Sequence, residues 1–294
     1  HGQCPLGMRG RGRMRTADLT LEHFSNPQEE GRAFVMTALA LVTGASSGIG
    51  KAFAERLAAD GYDLIVVGRR RERLDALADA LAKVKVQVVA ADLSTDQGID
   101  TVAELCAGQP LSMLVNNAGV AHYMPLADLS ADKARELTQV KVAAPTMLMR
   151  AAVPGMLARG TGTIVNVAGM IAFAGPAPSS VMPRRAIYGG SLAYLVAMSQ
   201  TLHAELEGTG VNVHVVCPGV VATEFHEVQG MDLSAVPRMS AEDVVTAALA
   251  GIGLGEVVSA PGVEDDSLIA AVAGADLAAF AAQSPQLASR YQAD

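Results

Sequence analysis

Three glycines, Gly44, Gly48 and Gly50, stand between a short apolar run at 38–42 and a stretch with Ile49, Phe53 and Leu57 on one helical face. Such a run, closed by a glycine, reads as a buried parallel strand, and the spacing after it reads as an amphipathic helix. A glycine-rich turn from strand to helix is a natural seat for phosphate. Glycine lets the backbone approach closely, and the helix N-terminus offers unpaired N–H groups with a favourable dipole. The whole segment is Thr43-Gly44-Ala45-Ser46-Ser47-Gly48-Ile49-Gly50, spaced Gly-x-x-x-Gly-x-Gly.

The same alternation continues downstream. Strands are expected at 62–67, 86–91, up to 116, 163–167, 211–216 and 256–259. Helices are expected at 70–83, where Leu74, Leu77 and Leu81 share a face, and at 131–157, 186–207 and 241–250. Strands alternating with helices imply an α/β fold, a doubly wound parallel sheet with helices on both faces. One domain over 36–262 is expected, followed by alanine-rich terminal helices over 263–294. Ligands of such sheets lie beyond the carboxyl ends of the strands. Gly44, Asp92, Asn116, Ala168 and Pro218 each fall just after an expected strand.

Composition narrows the function. The net charge of −8 argues against nucleic acid as a partner. Cys4, Cys106 and Cys217 are too few and scattered for a disulfide framework or a metal site, which points to a reducing, cytoplasmic setting. No apolar run is long enough to span a membrane. Residues 1–35 differ from the rest: Arg9, Arg11, Arg13 and Arg15 alternate with Gly and Met, and no apolar stretch follows. A flexible basic tail, an over-long translation start with Met36 as the natural one, and a targeting or docking arm are the open readings.

With Asn116-Asn117-Ala118-Gly119 downstream, the glycine segment resembles the short-chain dehydrogenase/reductase family, and the resemblance extends over 37–261. It implies a Rossmann-type fold, a nicotinamide dinucleotide, and a homodimer or homotetramer formed through the alanine-rich helices at 131–157 and 186–207. It also implies site roles. Gly44, Ser46, Ser47, Gly48, Ile49 and Gly50 would cradle phosphates, and Asp92 with Leu93 would meet the adenine, unless Asp92 only caps a helix. Asn117, Ala118 and Gly119 would line the cleft, and Pro218, Gly219, Val221 and Thr223 would face the nicotinamide end.

The end of the second strand decides the cofactor. A carboxylate there would hold ribose hydroxyls, whereas arginine accepts a 2′-phosphate. The chain has Gly68-Arg69-Arg70-Arg71, with no carboxylate before Glu72. NADP(H) is expected, with Arg69 carrying most of the recognition and Arg70 assisting. For Arg70 and Arg71 a solvated first helical turn is the competing reading.

The chemical half departs from the family pattern of Asn, Ser, Tyr and Lys. Tyr188 matches the tyrosine, and it would also touch the cofactor. Leu192 stands where the lysine belongs, Ala168-Gly169 offers no hydroxyl, and Lys141 falls where the asparagine is expected. The interval before Tyr188 is longer than usual, and it brings Ser179, Ser180, Arg184 and Arg185 near the tyrosine in sequence. They are candidate replacements for the hydroxyl and the cation, or else a solvated loop. Lys141 points into the cleft or, as surface lysines more often do, into water. His122, Tyr123, Met124 and His226 flank the cleft, and 224–239 resembles a substrate-covering loop.

A neutral tyrosine still donates a proton, so carbonyl reduction survives these losses better than alcohol oxidation. An NADPH-dependent reductase with a rebuilt proton relay, acting on a small carbonyl compound, is the leading reading. A non-redox enzyme on the same scaffold and a cofactor-binding protein without catalysis are the alternatives.

Overall fold

The computed structural model describes residues 37–175, 177, 184–233 and 235–292. The basic segment at 1–35, and with it Ser179 and Ser180, lies outside the described residues.

Seven strands form one parallel sheet: β1 (Leu39–Thr43), β2 (Asp63–Gly68), β3 (Val86–Ala90), β4 (Leu111–Asn116), β5 (Gly162–Val167), β6 (Val211–Val216) and β7 (Val258–Ser259). Their order across the sheet is β3-β2-β1-β4-β5-β6-β7. The order reverses between β1 and β4, and a crevice for a ligand opens at that switch point. Val42 is flanked by Val66 on one side and Val115 on the other, all three fully buried. Runs buried on both faces carry no polar alternation, which is why these strands read as continuous apolar segments.

Helices cover both faces. On one, α1 (Gly48–Ala59), α2 (Arg71–Ala80) and α8 (Ala241–Leu254) bury Phe53, Leu57, Leu74 and Val244. On the other lie α3 (Asp96–Gly108), α4 (Ala131–Thr138), α5 (Ala144–Arg159) and α6 (Ala186–Glu205), with Val102, Leu148, Met156 and Leu195 in their core. Strand patterning marks no helix between the third and fourth strands, yet α3 fills that interval. Its apolar face is Ile99, Val102 and Cys106, and Thr95 caps it by accepting from the Gly98 N–H. Loops shift most element ends by one to four residues from their expected bounds.

The stretch expected as one helix over 131–157 is broken by a π-helical turn, Gln139–Ala143, between α4 and α5. A π turn inserts an extra residue into the helical register and is frequent at functional sites. Beyond β7, the alanine-rich tail forms a 15-residue helix, α9 (Ser267–Ala281), followed by a short 3-10 turn at Ser289–Tyr291. No helix among the described residues is long and apolar enough to cross a membrane.

Candidate active site

Thr43 anchors the glycine turn. Its buried hydroxyl donates to the Val115 carbonyl at 3.3 Å and accepts from the N–H groups of Asn117 and Ala118, both at 3.0 Å. Asn117 Nδ2 donates back to the Thr43 carbonyl at 3.0 Å. These bonds fix the ends of β1 and β4 against each other. Gly44 and Gly48 hold φ of +68° and +55°, which side-chain-bearing residues rarely adopt. Gly50 serves close packing instead: a Cβ there would lie 2.3 Å from the Gly44 carbonyl oxygen. Ser47 opens α1 without a side-chain cap, leaving the first N–H groups of that helix without one.

The basic run after β2 splits into distinct environments. Arg70 turns onto the glycine turn, where Nη2 donates to Ser46 Oγ at 2.9 Å and to Ser47 Oγ at 2.8 Å. Arg69 is 58% exposed at its side chain and faces Glu136 at 3.5 Å. Arg71 pairs with Asp75 on the outside of α2, as a solvated first turn would. Arg70, rather than Arg69, is therefore the guanidinium set against the two serines. Asp92 accepts from both the N–H and the hydroxyl of Ser94, at 3.0 and 2.8 Å, so it builds the turn into α3 while Thr95 does the capping.

A cavity of about 810 Å³ joins these elements. Gly44, Ser46, Ser47, Gly48, Ile49, Arg69, Arg70, Asp92, Leu93, Asn117, Ala118 and Gly119 line one part of it. Lys141, Tyr188, Pro218, Gly219, Val221 and Thr223 line another part. Gly50 stays behind the wall. The volume and the glycine turn with its uncapped helix end fit a dinucleotide by size and chemistry.

Tyr188 sits in the first turn of α6, 7% exposed. Its ring meets that of Tyr123 edge to face with centroids 5.3 Å apart, which sets the two phenols beside each other. Burial first, then the neighbouring Tyr123, push the Tyr188 phenol well above its ordinary value. Burial also raises Tyr123, partly offset by the neighbouring Tyr188 and the charge of Arg185. Leu192 and Ala168 line the cavity with apolar atoms in place of a cation and a hydroxyl. Arg185 donates to the Ala174 carbonyl at 3.1 Å, and Arg184 is exposed.

Lys141 corrects the expectation of a surface lysine. It is 5% exposed and lines the cavity from the π turn. A Cβ on Gly119 would lie 2.5 Å from its Nζ, so the glycine makes the room for the ammonium group. Among the described residues it takes up no hydrogen bond or ion pair. Burial lowers it from 10.5 to about 8.

Of the four flanking residues, Tyr123 and His226 line the cavity, with His226 stacked on Tyr123 at 6.3 Å. His122 instead bonds Glu136 at 2.9 Å, and Met124 lies outside the lining. The remaining wall is mostly apolar, with Ile171, Phe225, Val228, Met231, Leu233 and Val236, and takes in the polar side chains of Glu224 and Gln229. Most of it belongs to the loop at 224–239, whose side chains carry no periodic pattern to mark them in sequence. The loop is tied at its ends by pairing of Val221 with Met239 and carries a short helix, α7 (Phe225–Val228). Among the described residues no cluster of ligands suits a metal ion.

Comparison with known proteins gives concordant matches. The family model described as short chain dehydrogenase matches residues 38–233. A very-long-chain 3-oxoacyl-CoA reductase-like protein of Arabidopsis thaliana is 32% identical over 223 residues, 74% of this chain and 70% of that one. The chain spans 57–70% of the length of the curated very-long-chain 3-oxoacyl-CoA reductase relatives. Among solved structures, a short-chain dehydrogenase from Sphingobium yanoikuyae in complex with NADPH superposes with a TM-score of 0.81 at 33% identity. The match covers 86% of this chain and all of that one. A bulky-bulky ketone specific alcohol dehydrogenase from Comamonas testosteroni gives 0.78 at 29% identity, covering 87% and 99%.

Proposed function

The chain belongs to the short chain dehydrogenase family, and from that we propose that it is an NADPH-dependent reductase of an apolar ketone, with Tyr188 as the proton donor. One observation carries the reading. Tyr188 and a buried Lys141, unpaired among the described residues, line the same cavity as the glycine turn and Arg70. A bound nicotinamide cofactor would supply the hydride. Gly44, Ser46, Ser47, Gly48, Ile49 and Arg70 would hold its phosphates. Asp92 and Leu93 would meet the adenine, with Arg69 at the rim, and Asn117, Ala118, Gly119, Pro218, Gly219, Val221 and Thr223 would line the rest.

The residues divide the remaining work. Tyr188, held neutral by burial, donates its proton to the carbonyl oxygen as the carbon takes up hydride, so the ketone becomes an alcohol. Tyr123, packed edge to face on Tyr188 in the same cavity, takes the place left by Ala168 and orients the donor. Lys141, still largely protonated at neutral pH, supplies the positive charge that Leu192 does not, and balances the phenolate left when the proton departs. Arg185 adds a second cation on the Tyr123 side. The apolar wall of the loop favours a bulky ketone, in keeping with the ketone-specific dehydrogenase among the similar structures.

The catalytic domain is assigned to 36–262. We place the protein in the reducing cytoplasm, where buried Cys106 and Cys217 remain thiols. Self-association as a dimer or tetramer completes the reading. α9 exposes Leu268, Leu277 and Phe280 and carries Asp276 as its one charge, an apolar surface of the kind subunits cover.

Calorimetric titration with NADPH and, separately, NADH tests the reading. Micromolar binding, tighter for NADPH, is expected. Absence of binding by either nucleotide would contradict it and favour a structural role. Tight binding without any turnover would favour a cofactor-binding protein without catalysis, and substrate conversion that leaves NADPH unconsumed would favour non-redox chemistry.

A further inference from the structure

No carboxylate follows β2 in sequence before Glu72, yet the fold delivers one to that corner from the other side of the cleft. Glu224, just after Thr223, reaches the guanidinium of Arg70 through Oε1. Arg73 Nη1 donates to both of its oxygens, at 3.0 and 2.8 Å. The same Arg70 holds Ser46 and Ser47, and Thr223 packs on Gly48, where a Cβ would stand 3.0 Å from Thr223 Cγ2. Two guanidiniums and two hydroxyls beside a helix N-terminus are the donor set that a phosphate monoester takes. In this chain a tethered carboxylate occupies it.

We propose that Glu224 is a cofactor-specificity residue, an internal anion that competes with a 2′-phosphate for Arg70 and Arg73. The proposal rests on the reading that the cavity takes a nicotinamide dinucleotide. A 2′-phosphate brings close to two negative charges and three acceptor oxygens, so it must displace the carboxylate or sit beside it against like-charge repulsion. A ribose with a free 2′-hydroxyl makes no such demand, and a carboxylate in this place accepts from ribose hydroxyls. Tethering keeps the competitor at a high effective concentration. Glu224 thus holds NADPH preference below what the arginines alone would give.

Hydrogen bonds from Arg73 and Arg70 hold the Glu224 carboxyl down at about 2. The competitor is therefore charged throughout the neutral range, and only another anion removes it.

The test uses the full chain and its Glu224→Gln variant, which keeps the size and hydrogen-bonding capacity but removes the charge. Calorimetry would measure NADPH, NADH, 2′,5′-ADP and 5′-AMP. Glu224→Gln is expected to tighten NADPH and 2′,5′-ADP by about tenfold or more, the scale of one charged competitor, and to leave NADH and 5′-AMP within about twofold. Equal or weaker binding of the two 2′-phosphorylated probes by the variant would overturn the proposal and make Glu224 a support of the site. If the unaltered chain binds neither dinucleotide, the proposed function fails. Glu224 is then judged by 2′,5′-ADP alone: tightening in the variant upholds its role, and no tightening removes it.

Discussion

Tyr188→Phe is expected to lower kcat/KM for ketone reduction by about 10²–10⁴-fold, the usual worth of a positioned general acid, while NADPH binding stays unchanged. The substitution removes one oxygen from a ring already packed edge to face on Tyr123, so the fold has little reason to move. Stopped assays with a bulky ketone, together with calorimetry of the same samples, separate the two effects. Burial and the Tyr123 contact hold the phenol neutral well beyond its ordinary range, so donation persists into alkaline solution. Oxidation of the product alcohol needs the phenolate and is expected to be the slower direction at neutral pH. A Tyr188→Phe enzyme with undiminished reduction would move the proton donor elsewhere.

Lys141→Met is expected to stabilise the protein and disable it together. The unfolded chain holds this proton up to about its ordinary value of 10.5, and the folded one only to about 8. Between those limits the unfolded state binds more protons, so stability rises with pH. Below pH 8 the cost of burying the charge is felt in full, about 3 kcal/mol for a fall from 10.5 to about 8. Methionine fills similar space without that cost. Urea denaturation should therefore show the variant more stable by about 3 kcal/mol at pH 7, a gap that closes towards pH 10.5. Loss of reductase activity at pH 7 should accompany the gain. A destabilised variant would mean that Lys141 is held by partners and serves the fold.

Such a trade explains why this site was only half legible. The glycine turn, the strand ends and Tyr188 announce themselves through local pattern, and each predicted wall residue of the cofactor half except Gly50 lines the cavity. Lys141 does not, because its direction depends on the π turn at Gln139–Ala143, and helical spacing alone gives no sign of the extra residue. The relation of Glu224 to Arg70 spans 154 positions and exists only once β2 and the segment after β6 meet at the switch point. Arg69 and Arg70 are adjacent in sequence and equal in chemistry. Only the entry into α2 decides that one faces Glu136 and the other the serines. α3 carried a legible signal, since Ile99, Val102 and Cys106 stand at i, i+3 and i+7 and so share one helical face.

Isotope transfer tests the central claim most directly. The protein would be incubated with NADPH deuterated at C4 on one face or the other, together with a bulky apolar ketone, and the product examined by mass spectrometry. One deuterium at the carbinol carbon, delivered from a single face and lost in Tyr188→Phe, is the predicted result. A product carrying no label, or formed while NADPH remains unconsumed, would contradict a reductase and require non-redox chemistry in this cavity.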